Sequence, residues 1–189
     1  MSALKVQSLL EELGVLQSQV VAISMHRGPD LVAVILGCIL HGAVFLLLHP
    51  CTPLKRKVYQ LEVSRPAVLL CSAQTFEQLV SISKSSISVM VNIHAVSFEP
   101  EEGSACSENP SSIVSTNAPS SNAYTEAPSY SEEILYIVFT SGSTGTPKAV
   151  CASAAGTLNR LEWMWEMFPF NGKNEVLCFK TSIAFVDCI

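Results

Sequence analysis

Hydrophobic and polar positions follow two rhythms along the first 98 residues of the chain. Apolar residues that recur every three or four positions are typical of amphipathic helices, whereas short unbroken apolar runs are typical of strands covered on both faces. The first pattern predicts helices over residues 4–13, 31–40, 54–63 and 75–83. The second predicts strands over residues 20–25, 43–48, 67–71 and 87–92. Such alternation predicts an α/β fold, with an open, mainly parallel sheet and flanking helices.

Residues 31–48 are almost continuously apolar, and a run of eighteen is the lower limit for a membrane-spanning helix. His41 and two glycines interrupt the run, and no aromatic belt flanks it. The pair His41-Gly42 divides it into a helix and a strand, so we predict no membrane association. Residues 1–14 contain Glu11 and Glu12 and lack the apolar core of a signal peptide, which favours a cytoplasmic protein.

Residues 99–133 differ in composition from the segments on either side. They are rich in Ser, Pro, Asn and Glu and contain no Lys or Arg. Such a segment cannot bury enough apolar surface to offset the entropy lost on ordering, so we predict a disordered or loosely held loop. This loop divides the chain into an α/β portion over 1–98 and a second portion over 134–189.

The second portion begins with a strongly β-prone run, which predicts a strand over residues 134–139. A helix is predicted over 154–167, and a further strand over 175–179. The helix carries Trp163 and Trp165, and ordinary packing is a better interpretation of this pair than contact with a nucleotide.

Composition excludes several classes of function. The net charge is −5 and no stripe of basic residues is present, which argues against nucleic-acid binding; the basic run at residues 55–57 is interpreted as a solvated turn. The seven cysteines are odd in number and have no C-x-x-C spacing, so we expect reduced, mostly buried thiols. The four histidines are scattered, and no metal site is predicted from them.

The clearest chemical motif follows directly after the strand predicted over 134–139. Its glycines allow close backbone approach to a ligand, consecutive N–H groups can form an anion site, and hydroxyls and one ammonium group add donors. These phosphate-binding candidates are Thr140, Ser141, Gly142, Ser143, Thr144, Gly145, Thr146 and Lys148. The spacing matches neither the G-x-x-x-x-G-K-[ST] loop of nucleotide hydrolases nor the dinucleotide fingerprint, which excludes both classes.

The segment YIVFTSGSTGTPKAV at residues 136–150 resembles the phosphate-binding signature of the adenylate-forming (AMP-binding) superfamily. This superfamily contains acyl-CoA synthetases, luciferases and the adenylation domains of nonribosomal peptide synthetases. Residues 35–53 are similar to its helix, strand and Pro-containing turn, and the resemblance covers nearly the whole chain except 99–133. It implies that ATP and a carboxylic acid give an acyl-adenylate and pyrophosphate. The loop would then hold the β- and γ-phosphates with Mg²⁺, and Lys148 would balance their charge.

Two positions depart from the pattern of the superfamily. Many members have Gly directly after the Lys and His six residues beyond it, and this chain has Ala149 and Ala154 there. Contacts made by that His in other members are therefore not expected here. No catalytic residue is assigned.

The end of the chain offers a clue to the substrate. Members that activate α-amino acids have Phe-Asp at the matching position, whereas this chain has Phe185-Val186-Asp187. The shifted carboxylate resembles that of β-alanine-activating members, which implies that Asp187 pairs with the ammonium group of β-alanine or another β-amino acid. Two alternatives stay open: Asp187 has a purely structural role at a strand end, or the chain belongs to a fatty or aryl acyl-CoA synthetase.

The resemblance also implies that the chain is a partial, N-terminal subdomain of the adenylate-forming fold, without the C-terminal lid. We therefore expect the isolated chain to have little adenylation activity and to expose apolar surface. In a full-length parent, CoA or the phosphopantetheine of a carrier domain would accept the acyl group. A third hypothesis is a catalytically inactive truncated product that acts as a decoy.

Overall fold

The computed structural model describes residues 1–80, 89–93, 113–115, 134–141, 146–169, 172, 175–176 and 178–183. The helices are α1 Ala3–Glu12, α2 Pro29–His41, α3 Leu54–Ser64, α4 Ala73–Val80 and α5 Ala154–Met167. The strands are β1 Val20–Ser24, β2 Val44–Leu47, β3 Val68–Cys71, β4 Val89–Asn92, β5 Ile113–Ser115, β6 Ile134–Thr140 and β7 Lys148–Ser153.

The described strands form one seven-stranded sheet in the order β5-β4-β3-β1-β2-β6-β7. The five central strands pair in parallel, and an antiparallel strand closes each edge: β5 beside β4, and β7 beside β6. The predicted α/β fold with a mainly parallel sheet is therefore confirmed. The antiparallel edges were not predicted.

Helices cover both faces of the central sheet, and residues alternate between the faces along each strand. Val21, Ile23 and Phe45 face α1 and α2 in one apolar cluster. Their neighbours Ala22 and Val44 belong to a second cluster with residues of α3 and α4. This double coverage is the reason that the central strands read as continuous apolar runs.

The apolar run 31–48 contains the turn that the sequence predicted. α2 ends at His41, and Gly42 takes the left-handed conformation (φ 81°) that glycine adopts without steric cost. The Nε2 atom of the buried His41 donates a hydrogen bond to the Val15 carbonyl oxygen (2.8 Å). A membrane-spanning helix would have to be longer and more apolar than any helix among the described residues.

One prediction of secondary structure is wrong for described residues, and two strands were not predicted. Ile113–Ser115 is a strand inside the segment predicted as a disordered or loosely held loop, because it pairs with β4. β7 was not predicted either; it pairs antiparallel with β6. The strand expected over 175–179 is not formed by residues 175–176 and 178–179, which have no strand partner.

Burial also differs from expectation in the second half of the chain. Trp163 and Trp165 are 54% and 50% exposed, so the predicted ordinary packing is wrong, and α5 has no buried residue. Two of the five described cysteines are buried, rather than most of them. The buried thiols are Cys38 and Cys71, and the exposed ones are Cys51, Cys151 and Cys178.

Candidate functional site

The predicted phosphate-binding loop connects two antiparallel strands. β6 ends at Thr140 and β7 begins at Lys148, and these two residues lie directly opposite each other in the strand register. Directly opposed residues project from the same face of a sheet, so the fold places the Lys148 side chain beside Thr140. Ser141, Thr146 and Lys148 are exposed. The predicted residues Gly142, Ser143, Thr144 and Gly145 lie outside the described residues.

The strand that follows the loop distinguishes this site from the phosphate sites of nucleotide hydrolases. In those sites a helix begins directly after the loop, and its N-terminus attracts the anion. Here β7 begins instead, and α5 starts only after Ser153. The described ends of the predicted phosphate-binding loop, Thr140 and Lys148, therefore lie on strands and not at a helix N-terminus.

A pocket of about 570 Å³ opens at the carboxyl ends of β2 and β6, beside the start of this loop. In parallel α/β sheets, ligands bind at this edge. Strand ends, α3 and two loops line the pocket: Leu47, His49, Cys51, Thr52, Pro53, Arg56, Gln60, Val138, Phe139, Thr140, Ser141 and Ser182. Among these residues there are hydroxyls and an arginine but no carboxylate.

Helix α3 forms one wall of the pocket and contacts the end of the predicted phosphate-binding loop. Arg56 and Gln60 are four positions apart, so they lie on one face of the helix, and both line the pocket. The Tyr59 hydroxyl donates a hydrogen bond to the Pro147 carbonyl oxygen (3.3 Å), near the end of the loop. α3 thus contacts the pocket and the loop together.

The turn between β2 and α3 is fixed by a buried lysine. Lys57 is 2% exposed, and its Nζ atom donates to the Pro50 carbonyl oxygen at 2.5 Å. Burial lowers the pKa of Lys57. The interpretation of residues 55–57 as a solvated turn is therefore wrong, because they form the first turn of α3 and one of them is buried.

Several basic side chains lie close to His49 in the wall of the pocket. Burial lowers the pKa of His49, and the neighbouring Arg27, His26 and Lys57 side chains lower it further. A pocket with this surrounding charge and no acidic group among its described lining residues favours an anionic ligand.

The last described segment, 178–183, is fastened to the loop that follows β1. The Nη1 atom of Arg27 donates to the carbonyl oxygens of Phe179 (3.3 Å), Lys180 and Thr181 (3.4 Å). Ile183 is buried in the core, and Ser182 lines the pocket. The predicted substrate residue Asp187 lies outside the described residues.

The structure brings Thr140 and Ser141 of the predicted site into the pocket, whereas Lys148 lies beside it. It adds residues that the sequence analysis did not assign to the site: His49, Thr52, Arg56, Gln60 and Ser182. The basic run at residues 55–57 was the sequence feature that could have assigned Arg56 to the site. In the part of the chain that the structure describes, no three His, Cys, Asp or Glu side chains are placed to hold a metal ion.

Sequence comparison relates the chain to a large group of enzymes. The sequence model of the family described as AMP-binding enzyme matches residues 2–186. Zwittermicin A synthase ZmaJ of Bacillus cereus is 29% identical over 170 residues, which are 89% of this chain and 28% of that protein. The beta-alanyl-bioamine nonribosomal peptide synthetase ebony of Drosophila melanogaster is 45% identical over 58 residues, or 31% of this chain and 7% of ebony.

Structural comparison agrees with this relationship at the level of the fold. The AMPPNP-bound nonribosomal peptide synthetase FmoA3 superposes with a TM-score of 0.67 at 16% identity. The superposition covers 97% of this chain and 17% of FmoA3. The chain therefore spans well under half the length of each of these relatives.

Proposed function

Since the chain belongs to the AMP-binding enzyme family, we propose that it carries the triphosphate-binding part of an ATP-dependent enzyme that adenylates a carboxylic acid. The observation that carries the proposal is the hairpin register, which sets Lys148 opposite Thr140 at the edge of a cationic pocket. In the proposed reaction a carboxylate oxygen attacks the α-phosphorus of ATP. The bond from the α-phosphorus to the bridging oxygen breaks, and pyrophosphate leaves with the electron pair.

Within this reaction the chain's own residues bind and orient the triphosphate. Hydroxyls of Thr140 and Ser141 donate to phosphate oxygens, and the Lys148 ammonium balances their charge. Arg27 positions the segment before Asp187 by holding three consecutive carbonyl oxygens. Fixed donors of this kind favour the transition state because they need no rearrangement as charge develops on the leaving group.

The pocket residues fit Mg²⁺ that arrives bound to ATP. Mg²⁺ prefers hard oxygen ligands, retains several waters and commonly binds proteins through substrate phosphates. The hydroxyls of Thr140 and Ser141 provide such oxygens, whereas the pocket has no carboxylate among its described lining residues to form an all-protein site. When bound, the ion neutralises charge on the β- and γ-phosphates.

We propose β-alanine or another β-amino acid as the acid substrate of the whole protein. Two observations support this choice: the carboxylate one residue beyond the usual position at Asp187, and the 45% identity over 58 residues with a beta-alanyl synthetase. A buried carboxylate needs a paired cation, and an amine substrate would supply it. The acyl acceptor, CoA or a carrier-bound phosphopantetheine, belongs to the same proposal.

The phosphate site is tested by ATP binding in the presence of Mg²⁺, measured by titration calorimetry. Lys148→Gln is expected to weaken ATP binding about tenfold to a hundredfold, because one charge-assisted contact is worth ~1.5 to 3 kcal/mol. The matched control is Arg65→Gln, which removes the same charge at the far end of α3. Equal affinities for the two variants would contradict the proposed role of Lys148.

The substrate is tested by pyrophosphate exchange with protein isolated from its native source. Exchange is expected with β-alanine and not with propionate, which has the same carbon chain and no amine. Asp187→Ala is expected to abolish exchange with β-alanine. Exchange supported by fatty or aryl acids instead would favour the acyl-CoA synthetase hypothesis, and no exchange with any acid would favour the inactive product.

A further inference from the structure

One side-chain hydrogen bond joins α3 to the end of the predicted phosphate-binding loop. The Tyr59 hydroxyl donates to the Pro147 carbonyl oxygen at 3.3 Å, across 88 positions of the chain. This carbonyl belongs to the planar peptide group whose nitrogen is that of Lys148, the first residue of β7. The bond therefore restricts the orientation of the backbone at the point from which the Lys148 side chain extends.

The carbonyl oxygen matters more at Pro147 than it would at another residue. Proline has no backbone N–H group, so the carbonyl oxygen is the only hydrogen-bonding group that Pro147 carries. Pairing across the hairpin reaches Lys148, which lies opposite Thr140, whereas Pro147 precedes β7. Pro147 therefore lies outside the paired strands, and its carbonyl oxygen accepts its hydrogen bond from α3 instead.

The ring of Tyr59 is itself held by the core of the protein. Tyr59 is partly buried and packs against the apolar cluster that contains Ile137 and Phe139 of β6. Because β6 leads into the loop, Tyr59 connects the core near the beginning of the loop with the end of the loop. Apart from β6, the main contacts of β7 among the described elements are with α3 and with α5, which has no buried residue. α3 is therefore the element that ties the beginning of β7 to the core.

We propose that Tyr59 is a positioning residue for the bound triphosphate, which acts by fixing the backbone from which Lys148 extends. Tyr59 is not among the residues that line the pocket, so its hydroxyl acts through Pro147 and Lys148 and not by contact with the ligand. This inference rests on the proposed function, because Lys148 must bind the phosphates for its position to matter. An ammonium group that is already in place loses less conformational freedom on binding, so the bond raises the affinity for ATP.

Tyr59→Phe tests the hydroxyl, because phenylalanine retains the ring and removes only the hydrogen-bond donor. The matched control is Tyr136→Phe, which removes a hydroxyl from a buried tyrosine of β6 in the cluster on the opposite face of the sheet. Binding of ATP with Mg²⁺ to the 189-residue chain is measured by titration calorimetry. We expect Tyr59→Phe to weaken ATP binding about threefold to tenfold, since one neutral hydrogen bond is lost, and Tyr136→Phe to weaken it less than about twofold.

The choice of nucleotide separates positioning from a general structural role. AMP lacks the β- and γ-phosphates that Lys148 is proposed to bind, so Tyr59→Phe is expected to change AMP binding by less than about twofold. Urea unfolding of the same variant shows whether the chain stays folded. Equal losses of ATP binding and AMP binding would indicate a structural role of Tyr59 and overturn the inference.

A double-mutant cycle tests whether Tyr59 acts through Lys148. The Lys148→Gln variant lacks the ammonium group that Tyr59 is proposed to position, so Tyr59→Phe added to it is expected to weaken ATP binding less than about twofold further. If Tyr59→Phe weakened ATP binding by the same factor with and without the lysine, the hydroxyl would act independently of Lys148, contrary to the inference.

The outcomes separate this inference from the function on which it rests. If Lys148→Gln weakens ATP binding while Tyr59→Phe and Tyr136→Phe have equal affinities for ATP, only the role of Tyr59 is overturned. If Lys148→Gln leaves ATP binding unchanged, the proposed role of Lys148 is wrong and the inference is overturned with it. If the unchanged chain binds no ATP, both proposals are overturned.

Discussion

The centre of the sheet and the β7–α5 unit are both built from apolar sequence, but only the first is buried. Every residue of β1, β2 and β3 is buried, whereas α5 contains no buried residue and most of β7 is exposed. The exposed apolar side chains of α5 and the residue after it are Leu158, Trp163, Met164, Trp165, Met167 and Phe168.

The difference follows from position in the sheet. A central parallel strand is covered by crossover helices on both faces, so its side chains are shielded from water on both faces. β7 is an edge strand joined to β6 by a hairpin, and α5 packs mainly against β7. An apolar sequence is therefore buried only where a second layer of helices or strands packs against it.

Thiol chemistry is expected to show the largest contrast between the two regions. Burial raises the pKa of Cys38 on α2 and Cys71 on β3 to about 12, whereas Cys151 on β7 and Cys178 beyond α5 are exposed. Only the thiolate reacts, so alkylation of the buried pair near pH 8 is expected to be at least about a thousandfold slower than that of the exposed pair. Iodoacetamide labelling followed by peptide mass spectrometry measures the rates. In urea all four thiols are expected to react at similar rates. Similar rates for the buried and the exposed thiols in buffer would contradict the prediction.

Matched aromatic substitutions test the same contrast through stability. Phe45 is fully buried and stacks on Tyr136 (ring centroids 5.5 Å apart), whereas Trp163 is 54% exposed against Phe168 (6.3 Å). Phe45→Ala is expected to lower the free energy of unfolding by about 3 to 5 kcal/mol, because it leaves a cavity. Trp163→Ala is expected to change it by less than about 0.5 kcal/mol. Urea titration measures both, and a large loss for Trp163→Ala would show that α5 is packed.

Close helix packing in the first region gives a smaller effect. A Cβ atom on Gly37 of α2 would lie 2.5 Å from the Val6 Cβ and 2.9 Å from the Ala3 carbonyl oxygen. Gly37→Ala is therefore expected to destabilise the chain by ~1 to 3 kcal/mol, although alanine favours helices. At the N-cap of the same helix Gly28 has open space, and Gly28→Ser is expected to add a few tenths of a kcal/mol by capping it. Thermal unfolding measures the stability of both variants. A Gly37→Ala variant as stable as the unchanged chain would mean that α1 and α2 separate easily.

The sequence predicted the central fold well because the signals there are local. The apolar run of β1 and the glycine after α2 each specify their own backbone conformation. The prediction failed at β5 and β7, since an edge strand is defined by its partner and not by its own composition. The burial of Lys57 was missed for the same reason, because its partner at Pro50 is supplied by a turn.

The sequence by itself determined the α/β class, the positions of the helices and central strands, and the run of Gly, Ser, Thr and Lys after β6. These depend on periodicity and on residues a few positions apart. Only the tertiary structure decided that Lys148 begins a strand opposite Thr140 and that α3 forms the facing wall, with Arg56 and Gln60. The contacts of α3 join residues far apart in the chain, as in the bond from Tyr59 to Pro147 across 88 positions, and no local pattern encodes them. Thr140 and Lys148 are close in the chain, but only the pairing of the two strands sets them opposite each other.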